Sequence, residues 1–89
     1  MSWDRKKPWT APARTLVVYR TERGWRFAIY NEAGILDGGL PDVPTDASPE
    51  LAQADLLRKV EEESERTYVA SWSSDKPDWW YADLTTKRT

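Results

Sequence analysis

The chain has 89 residues and a formal net charge of -2, with thirteen Lys and Arg against fifteen Asp and Glu. That length holds one domain with one modest core, and that balance supplies no global basic field to draw the protein to nucleic acid or to an anionic membrane. Cysteine and histidine are absent, which excludes disulfides, thiolate metal sites, zinc sites and the commonest general base.

Residues 1 to 14 contain Pro8 and Pro12, the basic group Arg5, Lys6, Lys7 and Arg14 against Asp4 alone, and no periodic apolar pattern. This predicts a flexible N-terminal arm, followed by a single α+β domain over residues 15 to 85 and a short tail over 86 to 89. Trp3 and Trp9 stand out in that arm and are expected to fold back on the domain or else to anchor a partner. The opening MSWDRKKPW lacks the continuous apolar segment of a signal peptide, and no run approaches the roughly 20 residues that cross a bilayer, so a cytoplasmic protein without a membrane role is expected.

TLVVYR, Thr15 to Arg20, is β-branched and aromatic, while WRFAIYN alternates Trp25, Phe27 and Ile29 with Arg26, Ala28 and Tyr30. Both patterns predict strands. Between them Thr21-Glu22-Arg23-Gly24 offers a glycine for positive φ, so an antiparallel hairpin is expected. After the similar turn Asn31-Glu32-Ala33-Gly34, a short third strand at Ile35-Leu36 is expected to end at Gly38-Gly39.

Ser48-Pro49-Glu50 supplies an N-cap, a first-turn proline and a carboxylate for the positive end of a helix. At about 100° per residue its Ala52, Gln53, Leu56, Leu57, Val60 and Ser64 share one sector, which must be buried against something. RTYVASW, Arg66 to Trp72, and WWYADL, Trp79 to Leu84, have strand composition and flank the turn formers Ser73 to Asp78, which predicts a second hairpin. The order β-β-β-α-β-β gives an α+β fold, an antiparallel β-sheet with one α-helix packed on one face.

One helix covers one face of a sheet, so strand alternation divides the remaining side chains. Leu16, Val18, Trp25, Phe27, Ile29, Trp80, Ala82 and Leu84 are assigned to the helix side. The opposite face then carries Val17, Tyr19, Arg26, Ala28, Tyr30, Trp79 and Tyr81, joined by Tyr68 and Trp72. Tyr19, Arg26, Tyr30, Tyr68, Trp72, Trp79 and Tyr81 form the candidate partner surface, because aromatics with a polar end bury large area and still tolerate water. The competing assignment is that cross-strand aromatic pairs only stabilise a thin sheet, or that Trp3 and Trp9 of the arm cover this face.

No motif in the chain supplies a reaction. Ser73-Ser74-Asp75-Lys76 has the S-x-x-K spacing of serine acyl enzymes but falls in a hairpin loop, without the helix start that motif needs. Asp37, Asp42 and Asp46 lack the alternating spacing and central glycine of a calcium loop, and Gly34, Gly38 and Gly39 precede no Lys-Ser or Lys-Thr of a phosphate loop. No catalytic activity, cofactor or metal is expected.

The hairpin, the short third strand, Leu40-Pro41-Asp42-Val43-Pro44 and a helix opening Ser48-Pro49-Glu50-Leu51-Ala52 resemble HicB-like antitoxin domains over residues 15 to 72. In that family such a segment leads into the helix of a partial RNase H-like fold that binds a small RNA-cleaving toxin, often beside a separate DNA-binding portion. The family's glycine after the segment is Thr45 here. The resemblance implies a non-catalytic binding module. Two functions are therefore expected in order: association with a protein partner or with itself as a homodimer through the aromatic face, and, second, binding of single-stranded nucleic acid. In the second, Tyr19, Tyr30, Trp79 and Tyr81 stack on bases while Arg20, Arg23, Arg26 and the arm's Arg5, Lys6 and Lys7 meet phosphates. A sequence pI near 5.1 disfavours the second.

Overall fold

The computed structural model describes residues 13 to 32 and 34 to 86, and the expectations for Trp3 and Trp9 lie outside the described residues. Strands β1 (Ala13–Thr21), β2 (Gly24–Asn31) and β3 (Gly34–Gly39) precede helix α1 (Pro49–Ser64), and β4 (Tyr68–Lys76) and β5 (Trp79–Thr86) follow it. They form one five-stranded antiparallel sheet in the spatial order β3-β2-β1-β5-β4. The helix packs on one face, which is the α+β architecture and element order read from the sequence. β1 takes the centre because it pairs locally with β2 and distantly with β5, so that Leu16 lies opposite both Ile29 and Ala82, and Val18 opposite both Phe27 and Trp80.

Several element bounds differ from the sequence reading, among them the start of β4 at Tyr68 and the end of β5 at Thr86, and three of the differences have a clear local reason. β1 begins at Ala13, within the stretch read as an arm, and Ala13 is buried with its N–H donating to the Tyr68 hydroxyl at 3.2 Å. β3 runs through Gly38 and Gly39 instead of stopping before them. Gly38 lies opposite Phe27, and a Cβ there would meet the Phe27 ring at 3.1 and 3.2 Å, so the glycine makes room for an aromatic side chain and does not end the strand. β4 extends to Lys76, which pairs with Trp79 and reduces the expected loop to Pro77 and Asp78, with Asp78 at φ 60. The register slips between Ser73 and Lys76, where the single proton of the Ser74 hydroxyl is shared between the carbonyls of Lys76 and Trp79, each at 2.7 Å.

The helix starts as the sequence dictates. Ser48 Oγ accepts from Leu51 N at 3.3 Å, Pro49 opens the first turn, and Glu65 at φ 59 closes the helix with its N–H on the Glu61 carbonyl. Ala52, Leu56 and Val60 are fully buried against Leu16, Val18, Phe27 and Ile29. The β3–α1 connection adds to this core, because Leu40 and Val43 are buried and Leu40 N bonds to the Trp25 carbonyl at 2.9 Å. Arg20 fastens that connection to the rest of the domain. Its guanidinium donates to the Thr45 carbonyl, pairs with Asp78 and lies 5.3 Å from the centre of the Trp25 ring.

Candidate functional site

Because neighbouring strand residues point to opposite faces, burial of Leu16, Val18, Phe27, Ile29 and Ala82 under α1 leaves the alternate residues on the other side. The registers arrange these in rows across the sheet. The first runs Arg26, Tyr19, Trp79, Lys76. The second runs Asp37, Ala28, Val17, Tyr81, Ser73, and the third Ile35, Tyr30, Thr15, Asp83, Ser71.

Three members of the first row, Tyr19, Trp79 and Lys76, form a continuous stack. Tyr19 and Trp79 have ring centroids 5.0 Å apart with 29° between their planes, and the Lys76 ammonium sits 4.5 Å from the centre of the Trp79 ring. Such an arrangement combines offset stacking with a cation over the negative face of an indole. Beside it a shallow depression of about 520 Å³ opens over Val17, walled by Tyr30, Trp79 and Tyr81. In the third row Thr15 Oγ1 donates to Asp83 at 3.3 Å, and Tyr30 and Ile35 are 39% and 63% exposed. Charges of both signs border the aromatics: Arg26 and Lys76 on one row, Asp37 and Asp83 on the other two.

Of the residues assigned to the partner surface, Tyr19, Arg26, Tyr30, Trp79 and Tyr81 lie together on this open face. Tyr68 and Trp72 do not. Trp72 pairs with Ala82, a fully buried residue of the helix side, and Tyr68 shares that parity. Tyr68 is 4% exposed within the core cluster, with its N–H on Glu61 and its hydroxyl under Ala13, while Trp72 is half-buried against the same cluster. Arg20 also belongs to the helix side and is held by Asp78 and Thr45, so it does not stand with the open-face aromatics. The Trp79-Trp80 doublet splits as alternation requires: Trp79 stacks on the open face and Trp80 packs on the core, both half-buried.

Lys76, the cation of the stack, is among the open-face members that the sequence reading missed. Its signal was its place directly before Pro77-Asp78, a two-residue connection that makes Lys76 and Trp79 cross-strand neighbours. Among the described residues no cluster of acidic side chains is placed to hold a metal ion, and no helix is long and apolar enough to cross a membrane. The chain matches no protein-family model, no curated protein and no solved structure.

Proposed function

We propose that this protein is a non-enzymatic module that associates with a protein partner through its open aromatic face, in a cytoplasmic setting and without a cofactor. The observation that carries this reading is the Lys76–Trp79–Tyr19 stack beside the depression walled by Tyr30 and Tyr81. Large amphipathic rings preorganised by a sheet lose little side-chain freedom on docking, and they exclude water from what they contact. The resemblance of the β3–α1 segment to HicB-like antitoxin domains points to the same class of function, a small domain whose work is to hold another protein.

A second reading, single-stranded nucleic acid on the same rings, is favoured by Arg26 and Lys76 flanking Tyr19 and Trp79. Against it, Asp37 and Asp83 share the face, and Arg20 is engaged elsewhere. Affinity capture from the native cell with the unaltered chain and with Trp79→Ala and Tyr81→Ala tests the proposal, alongside oligonucleotide titration. A co-purifying protein lost in both variants is the expected result. Binding of single-stranded RNA or DNA that weakens by orders of magnitude between about 50 and 200 mM salt overturns it in favour of the second reading.

A further inference from the structure

The sheet has two edges, β3 and β4, and they are built differently. β3 has six residues, of which Gly34, Gly38 and Gly39 are glycine and Asp37 is charged. Glycine weakens a strand as a pairing template and an edge charge discourages pairing, so this edge is blunted. β4 has nine residues, and its first seven, Tyr68-Val69-Ala70-Ser71-Trp72-Ser73-Ser74, contain neither a charge nor a proline.

The direction of the β4 backbone groups follows from alternation. Tyr68 N donates to Glu61 at 2.9 Å, so the Tyr68 amide faces away from β5, and alternate residues of an antiparallel strand repeat that direction. The two-residue connection at Pro77 and Asp78 gives the same parity, because Lys76 and Trp79 close the hairpin opposite each other and Ser73 opposite Tyr81 keeps that phase. Ala70 and Trp72 therefore aim their N–H and C=O groups outward. Glu61 satisfies the strand at its start, and no bond from the described residues serves the outward groups of Ala70 and Trp72.

We propose that β4 is a self-association edge, which pairs antiparallel with β4 of a second copy so that Ala70 faces Trp72 of that copy and Trp72 faces its Ala70. Outward backbone groups in this register need an extended strand, and β4 is complementary to itself: a large side chain meets a small one at both positions and no charge is brought between them. The two-fold axis of an antiparallel pairing is perpendicular to the sheet. Both helices then lie on one side, and both aromatic faces join into one wider surface on the other. This inference is independent of what the aromatic face binds.

Sedimentation equilibrium of the full chain, read together with hydrogen exchange, tests it. The mass is expected to rise from 10.3 kDa toward twice that value with concentration, with a dissociation constant on the order of micromolar or weaker, as befits a contact along one strand. Ala70→Pro removes one outward donor and leaves the β5 ladder in place, so it is expected to give a folded monomer, whereas Trp79→Ala is expected to dimerise like the unaltered chain. In the unaltered chain the amides of Ala70 and Trp72 are expected to exchange about tenfold more slowly at high concentration than at low, while those of Ile35 and Asp37 on the other edge do not change. The proposal is overturned if the chain stays monomeric, if Trp79→Ala abolishes the dimer, or if Ala70 and Trp72 exchange at the same rate at every concentration. The exchange measurement decides the matter even where Ala70→Pro fails to fold.

Discussion

Replacing Tyr68 by Phe separates the two places this ring can occupy, the core or a partner surface. The substitution keeps the ring and removes only the hydroxyl, which accepts from Ala13 N at 3.2 Å in a side chain that is 4% exposed. Ala13 is itself 4% exposed, so its amide would be left as a buried donor without a partner. Such a donor costs about 1 to 3 kcal/mol, and the easier burial of phenylalanine offsets part of that, leaving a loss of about 1 to 2 kcal/mol. For a domain of this size each kcal/mol lowers the melting temperature by about 4 to 8 °C, so a fall of roughly 5 to 15 °C is expected. Tyr30→Phe is the internal control: Tyr30 is 39% exposed on the open face, and its change should stay within about 0.5 kcal/mol. Urea unfolding followed by circular dichroism measures both. Equal stability of the two variants would refute the placement of Tyr68 in the core and return it to the surface.

The tryptophan doublet gives a second expectation. Trp80→Ala removes a ring packed on the core and should cost about 3 kcal/mol, near the lower end for buried aromatics because the ring is half-exposed, while Trp79→Ala loses one stacked pair and one cation contact, about 1 to 2 kcal/mol. The reverse ranking in the same urea assay would mean that the β5 register is displaced by one residue. Gly38→Ala should destabilise by about 1 kcal/mol through overpacking, since its Cβ would press on the Phe27 ring at 3.1 Å, and Gly39→Ala, with 3.7 Å to Arg26, should be close to neutral. Thermal melts of the two glycine variants that coincide would show that the Phe27 ring moves aside without cost.

Much of this fold is local and was legible in the sequence. The alternation of Trp25, Phe27 and Ile29, the Ser48-Pro49-Glu50 helix start and the paired hairpins each follow from neighbouring residues, whose propensities and caps act over a few positions. The split of Trp79 from Trp80 follows from the same rule of opposite faces. What alternation cannot supply is the layer to which each parity belongs. In β4, Tyr68 and Trp72 stand on one parity and Val69 on the other, so either face was acceptable until pairing of Trp72 with Ala82 fixed it. Nothing periodic marks Leu40 and Val43 in the sequence; they are core because the connection folds back until Leu40 bonds to Trp25. Arg20 shares the helix-side parity of Leu16 and Val18, but Asp78 lies 58 residues away, and only the distant pairing of β1 with β5 brings the two together. Sequence thus determined the elements and the alternation within each, and tertiary structure decided which faces meet, because register is set by cross-strand contacts between residues far apart in the chain.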